Sequence, residues 1–294
     1  MMIRSSMSTV ACPEWSLSRV ADSAAAFRYD GVELRTFGPG STRFACDPAL
    51  SSTTKTRRLF ADAGVEIDCI ATGFAFDEPF RPPVIGRVIG DPEHPVRQIK
   101  WAIDLARELE CPFVRAFGYH VENGANRKRT VECIAWRLSL AADACDKTGV
   151  RLAIENAGSF PTATTLCEIL DAVDSPLLGA SYSMAVATAA GEDPVSGINV
   201  LGDRLLLGKV KDVSDGRPCV PGAGSMPCRA FLRALDSAGF AGPTVFEWDR
   251  AWFADLVEIE GVLGAVPRLF HDWTVGPASA EAAPSSPEPI GSVG

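Results

Sequence analysis

The sequence is short of histidine, of positive charge and of long apolar runs. Only three of its 294 residues are histidines, so a metal site made mainly of histidine is excluded. Lys and Arg number 28 against 37 Asp and Glu, a net charge of −9, which argues against a protein that binds nucleic acid by neutralising phosphates. No apolar run reaches the ~18 residues of a membrane helix, and the opening MMIRSSMSTVACPEW lacks the apolar stretch of a secretory signal. We therefore expect a cytoplasmic protein without a membrane or nucleic-acid partner.

Paired cysteine motifs are also missing. The nine cysteines are scattered, odd in number and never spaced as C-x-x-C. This pattern disfavours both a disulfide framework and a zinc knuckle. We expect them to be small buried apolar side chains in a reducing compartment.

The chain does contain a regular alternation of short apolar runs and longer segments with helical spacing. Buried parallel strands have this continuous apolar character. The predicted strands are Ser8–Ala11, Gly31–Leu34, Val65–Ala71, Pro112–Phe117, Val150–Ile154, Leu178–Ser183, Leu205–Val210 and Thr244–Phe246. The predicted helices are Ser16–Phe27, Ser51–Ala63, Val96–Leu109, Arg127–Lys147, Thr162–Val173, Pro194–Leu201, Met226–Ala238 and Phe253–Phe270.

Eight strands, each followed by a helix, predict a single (β/α)8 TIM barrel of the α/β class. A doubly wound sheet is disfavoured because no glycine-rich phosphate loop follows an early strand. The barrel is predicted over residues 7–273. Residues 277–294, rich in Pro, Ser and Ala, are predicted to be a disordered tail.

Ionisable residues recur where the predicted strands stop. In TIM barrels the chemistry lies at the C-terminal ends of the strands. A carboxylate there can ligate a cation or take a proton from carbon. The clearest examples are Glu33, Glu155, Lys209 and Glu247.

Several segments together resemble the sugar phosphate isomerase/epimerase family of xylose isomerase-like TIM barrels. They are YDGVELR at the second strand, GVRLAIEN at the fifth, KVKDV at the seventh with the VPGAG turn after it, and GFAGPTVFEW at the eighth. The likeness runs from about Met7 to Trp273. It implies the barrel fold, a small sugar or cyclitol substrate and a divalent metal (Mn, Mg, Co or Zn).

The resemblance also implies a metal site with the ligand order Glu, Asp, His, Glu. Carried over to this sequence, the four positions are Glu155, Ser183, Lys209 and Glu247. Only the two glutamates match. Serine is a poor ligand, and an ammonium group has no lone pair to donate. The implied metal site is therefore incomplete.

Three interpretations of this change stay open. Lys209 could supply the positive charge of the missing metal, with Glu155 and Glu247 as the catalytic acid and base. Metal-dependent catalysis could persist on the two remaining glutamates. Alternatively, Lys209 forms a buried ion pair with a glutamate, and the protein binds a sugar without chemistry.

Other residues near the strand ends are candidates for contact with substrate, each with a structural alternative. Glu33 could instead form a salt bridge, His120 could be an ordinary loop histidine, and the tryptophans could serve only as packing. Arg217, in the loop after the seventh strand, could meet a phosphate or carboxylate. The substrate-binding candidates are Glu33, His120, Ser183, Arg217, Trp15 and Trp248.

The sequence thus predicts an isomerase or epimerase that moves a proton beside the carbonyl of a small keto sugar, polyol-derived ketone or keto-cyclitol. A dehydratase or lyase shares the first proton abstraction and is the nearest alternative. A non-catalytic sugar-binding barrel is the alternative of a different class. A DNA-repair endonuclease of the same superfamily is disfavoured by the acidic charge and the scarcity of histidine. Assembly into a homo-oligomer is left open.

Overall fold

Eight parallel strands close into a barrel, as predicted. The computed structural model describes residues 3–77, 94–118, 120–256 and 259–275. Around the barrel the strand order is β1-β10-β7-β6-β5-β4-β3-β2, and β8 and β9 form a separate antiparallel hairpin. The strands are β1 Ser5–Ser8, β2 Gly31–Arg35, β3 Glu66–Ala75, β4 Phe113–Phe117, β5 Arg151–Glu155, β6 Leu178–Ser183, β7 Leu205–Val210, β8 Asp212–Ser214, β9 Arg217–Cys219 and β10 Thr244–Phe246.

Helices surround the barrel, and several of them begin at polar residues whose side chains cap the first turn. The Ser16 side chain accepts the Arg19 N–H, and Asp193 accepts the Val195 and Ser196 N–H groups, so donors left free at the helix starts are satisfied. The helices are α1 Leu17–Phe27, α2 Thr53–Ala63, α3 His94–Glu108, α4 Arg127–Asp143, α5 Ala163–Val173, α6 Met184–Ala189, α7 Pro194–Leu201, α8 Cys228–Ser237 and α9 Ile259–Val275.

The first strand lies three residues earlier than predicted. Thr9–Ala11, assigned to the strand from its apolar character, is a 3-10 helix. The observed strand is rich in serine, so a search for apolar runs does not detect it. Ser5 is held there because its N–H and hydroxyl both bond to the Asp30 carboxylate. The barrel therefore begins before Met7.

The connection after β7 is also more ordered than the sequence suggested. The Asp212 carboxylate accepts N–H groups from Val213, Gly222, Gly224 and Met226, and so ties the β8–β9 hairpin to the turn that follows it. Asp212 is itself buried. Its role in the fold is to hold the loop beside the seventh strand.

The core lies between the barrel and its helices, with a second small cluster inside the barrel. Ala153, Leu207 and Val245 belong to that inner cluster. Each stands two residues before an ionisable residue of the strand ends, and side chains two apart on a strand face the same side. Small apolar groups thus close the barrel below the polar end.

The cysteines are free, as predicted, and seven of the nine are buried, Cys133 and Cys219 being half-buried. Among the described residues no helix has the length and hydropathy needed to cross a membrane. The tail predicted at 277–294 lies outside the described residues.

Candidate active site at the C-terminal end of the barrel

The ionisable residues predicted from the strand ends come together at one end of the barrel. Glu33 lies on β2, Glu155 ends β5, Lys209 lies near the end of β7 and Glu247 follows β10 directly. Because parallel strands all point the same way, their carboxyl ends meet at one rim. The contacts among these four side chains show that they point inward.

Lys209 occupies the centre of this group. Its Nζ lies 2.6 Å from Glu247 Oε1, 3.1 Å from Glu33 Oε1 and 3.1 Å from Glu155 Oε2. The side chain has no exposed surface. The predicted contact of Lys209 with both glutamates is confirmed, and a third carboxylate, Glu33, joins them. The contacts with Glu33 and Glu247 are hydrogen bonds, and the contact with Glu155 is an ion pair.

Lys209 and Glu247 are held in their charged forms. Burial lowers the pKa of Lys209, but attraction to Glu155, Glu247 and Glu33 outweighs it and raises that pKa above its ordinary value. Burial also disfavours the charged form of Glu247, which raises its pKa. Attraction to Lys209 and Lys211 outweighs burial and lowers that pKa to about 2. Lys209 and Glu247 therefore both remain ionised at neutral pH.

The two glutamates differ in how their oxygens are engaged. Contacts to Glu155 from Lys209, from Arg115 Nε at 3.2 Å and from the Ser181 hydroxyl at 3.4 Å all fall on Oε2. In Glu247, Oε1 faces Lys209 and Oε2 lies 3.7 Å from Lys211 Nζ. Oε1 is thus the oxygen of Glu155 without an ion-pair contact.

A cavity of about 600 Å³ opens above this cluster. Glu33 and Lys209 lie below its floor and are not part of the lining. Phe117 and Trp252 give it an apolar wall. The ionisable residues of its lining are Arg35, Asp77, Arg115, Glu155, Lys211, Glu247 and Asp249.

Lys211 and Asp249 form the side of the cavity next to Glu247. Lys211 Nζ lies 2.9 Å from Asp249 Oδ2, and the lysine side chain keeps 22% of its exposure. Burial raises the pKa of Asp249 despite the nearby lysine. Lys211, which directly follows β7, therefore faces the cavity, whereas Lys209 on β7 lies beneath the cavity floor.

Arg35 and Arg115 line the opposite side and were not among the residues predicted for the site. Arg35 pairs with Ala71 and Ala71 with Arg115, so the two arginines lie level on β2 and β4 with β3 between them. Arg35 stacks on Phe37 at 4.6 Å and Arg115 on Phe117 at 4.6 Å. The signal in the sequence was a repeated R-x-F at the ends of the second and fourth strands.

The two guanidinium groups influence each other electrostatically. Burial, with repulsion from Arg115, lowers the pKa of Arg35 to about 10. Arg115 is also buried, which lowers its pKa, but Glu155, Glu33 and Glu247 outweigh the burial and raise it. Both groups are charged at neutral pH.

Trp15 and Trp248, two of the predicted substrate-binding residues, are buried at 2% exposure each. Neither lines the cavity, and Trp15 packs under Arg19 at 4.3 Å. Trp252, half exposed, is the tryptophan of the lining. A contact of Trp15 or Trp248 with substrate stays a prediction.

His120 and Arg217 lie outside the cavity lining. His120 is exposed, and its backbone N–H donates to Asp77, which does line the cavity. Arg217 pairs with Asp255 at 2.6 Å on the exposed hairpin. Their roles in substrate binding stay predictions.

A family model described as xylose isomerase-like TIM barrel matches residues 21–265. The chain belongs to this family. The match runs from the first helix into the last, so it includes every strand end described above except that of β1. No curated protein matches the chain.

Solved structures of xylose isomerase-like barrels superpose on nearly the whole chain. An L-ribulose 3-epimerase gives a TM-score of 0.76 at 16% identity, over 93% of this chain and 95% of that one. A D-allulose 3-epimerase from Methylomonas sp. in complex with D-allulose gives 0.72 at 14%, over 91% and 96%. The IolI protein with a bound zinc atom gives 0.74 at 16%, over 92% and 98%. At these identities the likeness shows the fold.

The residues present do not fit the metal that the xylose isomerase-like family implies. Lys209 puts an ammonium between Glu155 and Glu247, and cationic nitrogen does not ligate a metal. Ser183, its neighbour in register on β6, is buried with its backbone N–H bonded to the Asn156 side chain. Within the described ranges no group of three His, Cys, Asp or Glu is arranged to hold a metal ion.

Proposed function

We propose that this protein is an isomerase or epimerase that transfers a proton through an enediolate intermediate on a small keto sugar, polyol-derived ketone or keto-cyclitol. The observation that carries the proposal is Lys209, whose ammonium sits among three carboxylates beneath the cavity. It supplies fixed positive charge where the family places a metal, and so helps to keep Glu247 ionised at the cavity floor. The reaction in this proposal does not require a divalent metal.

Glu155 is the better placed of the two glutamates to remove a proton from carbon. It lines the cavity, and its ion pairs fall on one oxygen. Its other oxygen can take the proton from a C–H beside a carbonyl and return it to the neighbouring carbon. The proton of the adjacent hydroxyl passes to the former carbonyl oxygen, which completes an isomerisation. Glu247, with a pKa of about 2, is a weak base and serves mainly to hold Lys209 and Lys211.

The negative charge that develops on the substrate oxygens needs donors that face the cavity. Lys211 lies beside Glu247 and reaches the cavity, so it is the donor to these oxygens. Preformed positive charge in a site that excludes water stabilises an enediolate strongly. In this arrangement Lys209 is a positioning residue that acts through the glutamates.

A second candidate function is sugar binding without chemistry. The observation in its favour is that the Lys209 ammonium contacts three carboxylates of the protein itself and is not part of the cavity lining. A barrel with this floor still offers a polar cavity with an aromatic wall. A dehydratase would begin with the same proton abstraction and differs in the product.

The proposal is tested by deuterium uptake. The protein is incubated in deuterated water with a panel of neutral and acidic keto sugars and keto-cyclitols, and the recovered compounds are examined by NMR and mass spectrometry. Glu155→Gln and Glu247→Gln are compared with the native protein. Glu132→Gln, which changes an exposed carboxylate on α4, is the matched control.

We expect deuterium at the carbon beside the carbonyl of at least one compound with the native protein and with Glu132→Gln. Glu155→Gln should lose it and Glu247→Gln should reduce it, with the circular dichroism of both unchanged. Uptake that survives in Glu155→Gln would assign the chemistry to another base. No uptake from any compound, together with measured binding of one, would favour the non-catalytic function.

A further inference from the structure

Arg35 is a buried cation that makes no direct ion pair among the described residues, although Glu33 and Glu155 attract it from a distance. Its exposure is 8%, yet it borders the cavity. Its Nη1 donates to the Ala71 carbonyl at 3.3 Å, and its Nε has no hydrogen-bond partner. Burying a guanidinium is costly unless its N–H groups have hydrogen-bond acceptors. An acceptor on a ligand in the cavity would supply the missing partner.

The guanidinium is held in place by its surroundings. Phe37 lies under one face at 4.6 Å. Gly73, another residue of the lining, lacks the side chain whose Cβ would lie 2.7 Å from Arg35 Nη2. The group is therefore fixed on an aromatic ring and free of cover on the side of Gly73.

Arg115 adds a second guanidinium at the same level of the barrel. It too has a buried Nε without hydrogen-bond geometry, although Glu155 Oε2 is 3.2 Å away. Two neighbouring guanidinium groups repel each other, and an anion between them relieves the repulsion. Planar guanidinium groups match the geometry of carboxylate and phosphate oxygens.

We propose that Arg35 and Arg115 form an anion subsite, so that the substrate of this cavity carries a carboxylate or a phosphate monoester. This inference rests on the proposed function and narrows it to acidic keto sugars, keto-cyclitol acids or sugar phosphates. The anion lies against β2 and β4, and the carbonyl end reaches Glu155 and Lys211 on the other side.

The test measures binding by calorimetry, which does not depend on turnover. Three probes share a six-carbon keto skeleton: neutral D-fructose, 5-keto-D-gluconate with a carboxylate, and D-fructose 6-phosphate. Each is titrated into native protein, Arg35→Gln and Gly73→Ala. Arg43→Gln is the matched control, because exposed Arg43 also stacks on Phe37, at 4.4 Å, but does not line the cavity.

At least one of the two anions should bind the native protein more tightly than D-fructose by about tenfold or more, the effect of a hydrogen bond to a charged group. Arg35→Gln should abolish this preference, Gly73→Ala should reduce it, and Arg43→Gln should keep it. Whichever anion binds better identifies the group as carboxylate or phosphate. Equal affinity for all three probes, no binding of either anion, or a preference that persists in Arg35→Gln would overturn the inference.

The two proposals fail separately in these experiments. Anion binding that depends on Arg35, without deuterium uptake from any compound, contradicts the proposed reaction and leaves the anion subsite standing. Deuterium uptake from a neutral sugar, without a preference for anions, contradicts the subsite and leaves the reaction standing.

Discussion

Lys209 Nζ lies 2.6 Å from Glu247 Oε1, and the lysine side chain is completely shielded from solvent. Buried charges are tolerated only when they are paired, and here one cation is shared by three carboxylates. The pair joins β7 to β10, two adjacent strands of the barrel. The interaction therefore stabilises the fold and also fixes the charge at the floor of the cavity.

Replacing Lys209 by methionine should destabilise the protein. The change leaves three carboxylates close together without their shared cation, and breaking a buried ion pair costs about 3–5 kcal/mol. Urea denaturation at neutral pH measures the loss. Lys211→Met, whose side chain is partly exposed, is the control and should cost less. Equal losses in the two variants would contradict a special role for Lys209.

The stability gap between native protein and Lys209→Met should depend on pH. In the native fold the pKa of Glu247 is about 2 against an ordinary 4.5, so its stabilising effect is present above about 4.5 and lost as pH falls through 2. That shift corresponds to about 3 kcal/mol. Without Lys209 the pKa of Glu247 should rise, and protonation then relieves the repulsion. The gap should narrow as pH falls from 7 towards 2, and a constant gap would argue against this linkage.

Purified protein should hold less than one equivalent of divalent metal. Ser183 and Lys209 stand at two of the family's four ligand positions, and the ammonium repels a cation. Elemental analysis after dialysis measures the content. A full equivalent of Mn, Co or Zn that survives dialysis would revive the metal-dependent interpretation.

Rebuilding the family's ligand set should create a metal site. Ser183 and Lys209 are neighbours in register on β6 and β7, so Ser183→Asp with Lys209→His places both new ligands beside Glu155 and Glu247. Calorimetric titration with Mn and Co should show binding by the double variant that the native protein lacks. Ser183→Asp alone is the control. No gain in affinity would show that the assignment of these two positions is wrong.

The sequence predicted the barrel well because most of the strands are short apolar runs with sharp ends. The bounds of β6, β7 and β10 are as predicted. The first strand was misplaced because three of its four buried residues are serines, of which Ser5 bonds to Asp30 and Ser8 to Glu33, and hydropathy does not reveal such contacts. The contact of Lys209 with Glu155 and Glu247 followed from the convergence of parallel strand ends.

The sequence could not predict how deeply each side chain of the site is buried. Lys209 and Lys211 are two residues apart and face the same way, yet one lies under the floor and the other beside the cavity. The pairing of Arg35 with Arg115 depends on the register of β2, β3 and β4, which is fixed only when the barrel closes. Trp15 and Trp248 show the same limit, since aromatic residues near strand ends can pack inward.

Deuterium uptake by metal-free protein tests most directly whether the proposed reaction proceeds without a divalent metal. The native protein is stripped with a chelator and incubated with the panel of keto compounds in deuterated water, with and without added Mn or Co. We predict that uptake continues after chelation, is not increased by either metal and is abolished by Glu155→Gln. Uptake that disappears on chelation and returns with Mn or Co would contradict this.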